Sequence, residues 1–296
     1  MILYLCQQPG CPEPMVGVGV DDGLVDLTAL DGWGASGALG AVLARPNLAA
    51  EVAALTRGRV AVRWSDLAPA PEAARPFLLA PLAGHEVWGA GVTYQISRLE
   101  RMRESETAAT VYDQVYRAER PELFFKSAGH RVVGPGAPIR VRADASWTVP
   151  EPELAVVVAP DGRVVGFSLG NDVSARDIEG QNPLYLPQAK TYRGSCAVGP
   201  GIRLADGQFD PLAETISCRI ERDGAVLWSD SAPVSRLKRG IDELVGYLLR
   251  ELDFPQGVVL LTGTCLVPPE TVSLRPGDEV VMALSGVGEL RNPVEG

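Results

Sequence analysis

The chain has 296 residues and a formal net charge of −10, with 46% hydrophobic and 22% charged residues. This composition is typical of a globular protein with a substantial core, in one large domain or two. The negative charge argues against nucleic acid and anionic membrane surfaces as partners, because both attract a basic face.

The amino terminus predicts a cytoplasmic protein without a signal peptide. Met1–Leu5 lacks the positive region that opens a secretory signal. No apolar run approaches the roughly 20 residues that a membrane span needs. The five cysteines are an odd number without zinc-like spacing, so neither a disulfide framework nor structural zinc is expected.

Residues 1–80 are predicted to form a small α/β domain and a linker. Short strand-like runs at Val16–Val20 and Leu24–Leu27 precede an Ala- and Leu-rich helical stretch around Ala38–Leu55. Residues 67–76 are rich in Pro and Ala, which is typical of a linker between domains.

Residues 81–296 are predicted to form a larger, mostly β domain. Short strands separated by Gly, Pro and Asp dominate after Leu123, and later strands are expected at Gly257–Leu261 and Glu279–Leu284. Apolar residues at helical spacing predict one packed helix over Ser235–Leu252. The expected fold class is therefore α+β and mostly β, not an alternating βαβ chain.

Three carboxylates fall at the open end of one predicted hairpin. Asp161–Gly162 is a strong two-residue hairpin signal between two runs of β-branched and apolar residues. With that loop, Glu151 lies opposite Asp172 and Glu153 lies opposite Gly170, and residues two apart share a face. Three like charges in one patch need a counter-ion, and a hard divalent cation such as Mg²⁺ or Ca²⁺ suits them. An ordinary acidic surface is the alternative, and the apolar surroundings weaken it.

Several residues near this hairpin are further candidates for chemistry. Lys126 follows two aromatic residues, Lys190 lies in a mild sequence, and Arg176 follows Asp172 by four residues. The default for a lysine is a solvated tip on a buried stem. Thr262–Thr264 is suited to holding a carboxylate, but on sequence alone an ordinary loop is favoured.

Together these residues resemble the fumarylacetoacetate hydrolase superfamily over roughly residues 86 to 294. The motifs are Pro-Glu-Pro-Glu-Leu-Ala, Gly-Asn-Asp-Val-Ser-Ala-Arg-Asp, Leu-Thr-Gly-Thr and a closing Leu-Arg-Asn-Pro. The resemblance implies a mixed β-roll catalytic domain beside a small N-terminal domain. It also implies a homodimer or homotetramer.

The resemblance assigns roles to the candidate residues. It implies Mg²⁺, with Mn²⁺ or Ca²⁺ as substitutes, held by Glu151, Glu153 and Asp172. It implies an active-site lysine at Lys190. The positions that it implies for the substrate pocket are Lys126, Arg176 and Thr264.

One departure from the superfamily concerns the reaction. Hydrolytic members carry a His-Glu dyad in a cover segment, where it activates water for C–C cleavage. Residues 95–120 are highly charged and predict a solvated or mobile helical cover, but they contain no histidine. Hydrolysis is therefore disfavoured, and Glu106, followed by Glu104, is the candidate base on the cover.

Further motifs resemble the 2-keto-3-deoxy-pentonate dehydratases of the superfamily. They are Gly-Val-Thr-Tyr, Arg-Glu-Ser-Glu, Val-Tyr-Asp-Gln-Val-Tyr, Arg-Pro-Glu-Leu-Phe-Phe-Lys and Asp-Ile-Glu-Gly-Gln-Asn-Pro-Leu-Tyr-Leu-Pro-Gln-Ala-Lys. These enzymes convert 2-dehydro-3-deoxy-D-arabinonate to 2,5-dioxopentanoate and water. The resemblance implies a Mg²⁺-dependent lyase that acts on a small 2-keto acid in pentose breakdown, with the metal stabilising an enolate.

Two alternatives remain open from the sequence. One is another reaction on the same fold, either C–C hydrolysis of a diketo acid or decarboxylation of an oxaloacetate-type acid. The other is a non-catalytic, calcium-binding β domain, in which a cluster of lysines and arginine around the metal has no purpose.

Overall fold

The computed structural model describes residues 1–30, 33, 39–55, 60–82, 84–95 and 114–296. Within these ranges the helices are α1 (Leu39–Leu43), α2 (Leu48–Leu55), α3 (Arg176–Gln181), α4 (Leu186–Lys190) and α5 (Ile241–Leu248). The strands are β1 (Ile2–Gln7), β2 (Met15–Val20), β3 (Gly23–Asp26), β4 (Val60–Arg63), β5 (Phe77–Leu78), β6 (Glu86–Gly91), β7 (Glu122–Ala128), β8 (Ile139–Arg140), β9 (Thr148–Val149), β10 (Pro152–Val158), β11 (Val164–Asp172), β12 (Ser174–Ala175), β13 (Cys196–Leu204), β14 (Thr215–Arg222), β15 (Ala225–Pro233), β16 (Val258–Thr264), β17 (Glu279–Leu284) and β18 (Gly288–Glu295).

One large sheet runs through both halves of the chain. Its strand order is β4-β3-β2-β1-β13-β11-β10-β16-β6-β7, and β5 pairs with β1. The junction is the antiparallel pair of β1 and β13, in which Leu3 lies opposite Ile202. Strands from the first 80 residues therefore extend the sheet that carries the acidic hairpin. A domain boundary at residue 80 stays a prediction.

A second sheet packs against the first, and both sheets contain parallel as well as antiparallel pairs. Its strand order is β15-β14-β17-β18-β8. Most neighbours are antiparallel, but β16 pairs with β6 and β18 pairs with β8 in parallel. The predicted α+β, mostly β fold class is confirmed.

The central strands are apolar without alternation because both of their faces are buried. In β10, Leu154 and Val156 belong to the core between the two sheets, to which α5 also contributes. Ala155 and Val157 belong to a second core that α1 and α2 cover. A strand buried on both faces reads as a continuous hydrophobic run, which matches Leu154–Val158.

The predicted helices are confirmed in place but not in length. The stretch around Ala38–Leu55 contains two helices, α1 and α2, with Pro46 between them. Proline lacks an N–H and disfavours helical geometry in the residue before it, which explains the interruption. The helix expected over Ser235–Leu252 is shortened to α5, which starts after the extended Gly240 and leaves Leu252 exposed.

The predicted strands are present, and one extends further than expected. Val16–Val20 lies in β2, and Glu279–Leu284 is β17. The strand expected at Gly257–Leu261 is β16, which continues through Thr262–Thr264. The favoured loop at those three residues is therefore wrong. Across the described ranges, no helix is long and apolar enough to cross a membrane.

His85 is a buried titratable residue outside the acidic hairpin. It precedes β6, is fully excluded from solvent and lies against Gly257. Burial disfavours the charged imidazolium and lowers the pKa of His85 to about 4. The native state therefore holds this histidine neutral.

We expect His85 to make the folded protein sensitive to mild acid. The unfolded histidine takes up a proton below about pH 6.5, whereas the folded one does so only near pH 4. The free energy of unfolding therefore has its full value above about pH 6.5 and falls as the pH drops from 6.5 towards 4. From pH 7.5 to 5, wild type should lose about 2 kcal/mol more stability than His85→Gln, measured by urea unfolding. His130→Gln, at an exposed position, is the matched control and should behave as wild type. Equal losses in wild type and His85→Gln would contradict this account.

Candidate metal centre

The acidic hairpin turns through three residues rather than the predicted two. The turn is Pro160–Gly162, because the N–H of Ala159 donates to Arg163 O at 2.9 Å. Gly162 has a φ of 84°, which glycine adopts without strain, and its N–H donates to Ala159 O at 2.9 Å. A loop with one extra residue shifts the pairing of the two strands by one position.

A bulge in β11 reverses that shift. Val158 pairs with Val164, but the next pair is Val157 with Gly166, so Val165 is an extra residue. A shift by one residue would turn every side chain beyond it to the other face of the sheet. The bulge therefore returns the acidic residues of both strands to a common face.

The register predicted for the acids is confirmed although the predicted loop is wrong. Glu153 lies opposite Gly170 in the β10–β11 pair. Beyond the last paired residues, the N–H of Asp172 donates to Glu151 O at 2.9 Å. One carboxylate oxygen from each of Glu151, Glu153 and Asp172 lies within 4.8 Å of the other two.

All three carboxylates are buried, so the repulsion between their negative charges is only weakly screened by water. Glu151 is 3% exposed, Glu153 2% and Asp172 1%. Burial, followed by the charges of Asp172 and Glu151, raises the pKa of Glu153 well above its usual range. The cluster therefore needs positive charge close to it.

A second bulge gives Glu153 a backbone donor. In β16, Thr264 pairs with Glu153 and Leu261 pairs with Ala155, so the register shifts between these pairs. Gly263 lies in the bulge with a φ of 95°, and its N–H donates to Glu153 Oε2 at 2.6 Å. The irregular strand end thus orients one of the three carboxylates.

Lys190 bridges two of the carboxylates. It ends α4 and is 2% exposed. Its Nζ lies 2.8 Å from Glu151 Oε2 and 2.7 Å from Asp172 Oδ2. The solvated lysine that is the usual expectation from sequence is therefore wrong here, because buried acids replace water around the ammonium.

Arg176 and Lys126 each hold one of the same acids from outside the cluster. Arg176, at the start of α3, donates from Nε to Glu151 Oε1 at 3.0 Å. Lys126 in β7 is fully buried, contacts Asp172 Oδ1 through Nζ, and donates to Val173 O at 3.0 Å. Three buried cations therefore surround the three acids.

Thr264 is the third residue predicted to line the substrate pocket. Its hydroxyl is buried and lies 3.0 Å from Pro152 O and 2.9 Å from Leu266 O. It lines a small cavity together with the acidic cluster. Substrate binding by Thr264, Arg176 and Lys126 stays a prediction, since their described contacts are with the protein itself.

Two cavity residues were missed by the sequence analysis. Glu122, at the start of β7, and Glu179, in α3, line the cavity with the three acids and Lys190. Both lie inside motifs that carry the dehydratase resemblance, Arg-Pro-Glu-Leu-Phe-Phe-Lys and Asp-Ile-Glu-Gly-Gln-Asn-Pro, so a signal was present. The predicted cover bases Glu104 and Glu106 lie outside the described residues.

The donor set fits a hard divalent cation. Three carboxylates offer only oxygen ligands, which Mg²⁺, Mn²⁺ and Ca²⁺ prefer. Cys196 pairs with Asp172 across β11 and β13, but burial raises the pKa of its thiol to about 12, so it offers no thiolate. A bound dication would also offset the repulsion that raises the pKa of Glu153.

Comparison with known proteins identifies the family. The profile described as "Fumarylacetoacetate (FAA) hydrolase C-terminal" matches residues 86–295. A probable 2-keto-3-deoxyxylonate dehydratase of Haloferax volcanii is 47% identical over 214 residues, covering 72% of this chain and 73% of that protein. The 2-dehydro-3-deoxy-D-arabinonate dehydratase of Saccharolobus solfataricus is 43% identical over 219 residues, 73% of each chain.

A solved structure agrees over the whole chain. The structure of 2-keto-3-deoxy-D-arabinonate dehydratase complexed with magnesium and 2,5-dioxopentanoate has a TM-score of 0.81 and 32% sequence identity. The match covers 100% of this chain and 99% of that one. The chain therefore belongs to the fumarylacetoacetate hydrolase family. The resemblance to the dehydratases within it is confirmed.

Gly263→Ala should destabilise the protein through the bulge that serves Glu153. A Cβ at Gly263 would lie 2.0 Å from Thr93 Oγ1, and a φ of 95° is strained for any L side chain. The free energy of unfolding should fall by about 1–3 kcal/mol, measured by denaturant titration.

Gly246→Ala is the matched control for this substitution. Gly246 lies in α5, and a Cβ added there would meet no neighbouring group within 4 Å. Alanine there should raise stability by about 0.5–1 kcal/mol, because it limits the unfolded chain. A Gly263→Ala protein as stable as wild type would show that the bulge is not under this constraint.

Proposed function

We propose that this protein is a Mg²⁺-dependent hydro-lyase. It converts a 2-keto-3-deoxy-pentonate, 2-dehydro-3-deoxy-D-arabinonate, to 2,5-dioxopentanoate and water. The observation that carries the proposal is the buried acidic cluster at a cavity, with its three cations, in a chain 47% and 43% identical to two dehydratases. The solved relative that holds magnesium and 2,5-dioxopentanoate supports the same metal and product.

Glu151, Glu153 and Asp172 are proposed to hold the metal. Their oxygens suit Mg²⁺ and leave Mn²⁺ or Ca²⁺ as substitutes. A bound Mg²⁺ supplies Lewis-acid stabilisation of negative charge on the oxygens of a 2-keto acid. The Gly263 N–H orients Glu153, while Arg176 holds Glu151 by the Nε contact at 3.0 Å.

The reaction needs one proton removed and one supplied. A base takes a proton from C3, the neighbouring hydroxyl leaves as water with a proton from an acid, and proton shifts in the remaining unsaturated hydroxy acid give the dioxo product. We propose Lys190 as one partner in these transfers, because its Nζ lies at the acidic cluster and lines the cavity.

The second acid–base partner is proposed to be a carboxylate. Glu106, followed by Glu104, remains the candidate on the cover segment. Among the described residues, Glu122 and Glu179 lie at the cavity and are of the same chemical type. A carboxylate held within reach of the substrate is a common general acid or base in enzymes.

Substrate anchoring is proposed for Lys126, Arg176 and Thr264. Thr264 lines the cavity and lies opposite Glu153 in the strand pairing. Lys126 and Arg176 contribute positive charge that attracts an acidic substrate while they hold Asp172 and Glu151. Positive charge in a buried, low-dielectric site attracts a nearby anion more strongly than the same charge does in water.

The competing functions are less well supported. The hydrolytic members of the superfamily carry a water-activating His-Glu dyad, and the cover segment 95–120 contains no histidine. Decarboxylation of an oxaloacetate-type acid uses the same coordination of a 2-keto acid by the metal, so it is the second reaction to assay. A non-catalytic calcium domain does not explain why three buried cations surround the acids.

The assembly and the compartment are also proposed. We propose a homodimer or homotetramer, as the resemblance to the family implies, and a cytoplasmic location, as the sequence predicts. Light scattering of the purified protein measures the assembly, and a single-chain mass would overturn that part. The composition, with a net charge of −10, gives no support to nucleic acid as a partner.

Purified protein with Mg²⁺ should release 2,5-dioxopentanoate from 2-keto-3-deoxy-pentonate. Removing the metal with a chelator should abolish the activity, and adding Mg²⁺ should restore it. Glu153→Gln removes one charged ligand, so turnover should fall by about 100-fold or more and the Mg²⁺ affinity measured by calorimetry should fall with it.

Glu13→Gln makes the same chemical change at an exposed position and should leave both quantities unchanged. A panel of diketo acids and oxaloacetate distinguishes the competing reactions. Cleavage of a diketo acid without turnover of the sugar acid would overturn the dehydratase proposal. Full Mg²⁺ binding by Glu153→Gln would overturn the ligand assignment.

A further inference from the structure

Ser174 is a buried serine that touches both the acidic strand and Lys190. It lies in β12, two residues after Asp172, and is fully excluded from solvent. Its Oγ lies 2.8 Å from Asp172 O and 2.7 Å from Lys190 Nζ. Neither the family resemblance nor the proposed reaction uses this hydroxyl.

The chemistry of the two groups determines which way each hydrogen bond runs. An ammonium has three donors and no acceptor, so Ser174 Oγ accepts from Lys190. A hydroxyl has one hydrogen, and here it is donated to the carbonyl of Asp172. The hydroxyl is thus held in one orientation, with its lone pairs toward Lys190.

Ser174 differs from the other two acceptors of the ammonium because it is neutral. Lys190 Nζ also donates to Glu151 Oε2 and Asp172 Oδ2, which are both proposed metal ligands. A cation that draws on those two carboxylates competes with Lys190 for them. Of these three bonds, the one to Ser174 Oγ is the bond for which a cation on the carboxylates would not compete.

Hydrogen bonds also hold the backbone carbonyl of Lys190, at the opposite end of the residue from the ammonium. Its carbonyl accepts from Lys126 Nζ at 2.5 Å and from Ser195 Oγ at 2.8 Å. The lysine stem between carbonyl and ammonium is flexible and rich in rotamers. A fixed backbone alone therefore does not fix Nζ. The centre of the Phe124 ring lies 5.6 Å from Nζ, and Ser174 Oγ adds a directional hydrogen bond at the tip.

We propose that Ser174 is a positioning residue that holds Lys190 Nζ at the reacting carbons when the carboxylates bind the metal. This inference rests on the proposed function. Ser174 acts through Lys190 and does not touch the substrate.

Ser174→Ala should lower kcat about 10- to 100-fold and change KM little. Losing a hydrogen bond that orients a group in a metal site commonly has an effect of about this size. Ser174→Thr keeps the hydroxyl and should recover most of kcat. Ser168→Ala is the matched control, because Ser168 is also fully buried in the adjacent β11 and its Oγ bonds to Gly199 O at 3.3 Å. It should keep wild-type kcat, since it does not contact Lys190.

A second readout is independent of turnover. Acetic anhydride labels lysines, and mass spectrometry measures the rate at each site in protein saturated with Mg²⁺, in which the metal competes with Lys190 for Glu151 and Asp172. The rate at Lys190 should rise several-fold in Ser174→Ala and not in Ser168→Ala. Lys126, which is equally buried, reports general opening and should stay at its wild-type rate.

The outcomes separate the inference from the proposed function. Faster labelling of Lys190 alone, in a protein that turns over no sugar acid, would support the positioning role and overturn the dehydratase. Equal kcat and equal Lys190 labelling in Ser174→Ala and Ser168→Ala would overturn the positioning role. If Ser174→Ala does not fold, Ser174→Cys decides, because it nearly keeps the side-chain volume but replaces the hydroxyl by a weak acceptor. Wild-type kcat and wild-type labelling of Lys190 in Ser174→Cys would overturn the positioning role.

Discussion

The site depends on the burial of three like charges at the open end of one hairpin. Glu151, Glu153 and Asp172 lie within 4.8 Å of one another and are almost fully excluded from water. An isolated ion in such a place costs several kcal/mol, so the fold must supply opposite charge or hydrogen-bond donors. Lys190, Arg176 and Lys126 supply the charge, and the segments that carry them are arranged around the hairpin accordingly.

Rigid sheet geometry makes this charge arrangement specific. Two irregularities set it: the bulge at Val165, which returns the acids to one face, and the bulge at Gly263, which turns an N–H toward Glu153. Bulges are built into strands where a side chain must be re-aimed. Both strands are buried on both faces, so neither can slip without exposing core residues.

The same arrangement links the site to catalysis of a 2-keto acid. The acidic cluster offers the oxygen ligands that a dication prefers, but several reactions on this fold use the same mode of metal binding. The choice among them depends on the groups that transfer protons, and the proposed candidates Glu122, Glu179 and Lys190 all line the cavity. Ser174 lies between the two parts, because its Oγ bonds to Lys190 Nζ at 2.7 Å and to the backbone carbonyl of Asp172 at 2.8 Å.

The sequence by itself determined the elements that follow from local periodicity. A turn signal between two runs of β-branched and apolar residues predicted that Glu151, Glu153 and Asp172 come together, and the bulge at Val165 restored that register although the loop has one more residue. Runs of apolar residues were enough for a mostly β fold. The order of the motifs along the chain was enough for the family. Only the tertiary structure decided the loop of three residues with its compensating bulge, the strand geometry of Thr262–Thr264 and the burial of Lys126 and Lys190. The burial of the lysines and the course of β16 depend on contacts between residues far apart in sequence, such as Lys126 with Asp172 and Glu153 with Thr264, and local patterns carry no information about them. The loop and its bulge are local, but the turn signal Asp161–Gly162 does not distinguish a two-residue loop from a three-residue loop with a compensating bulge.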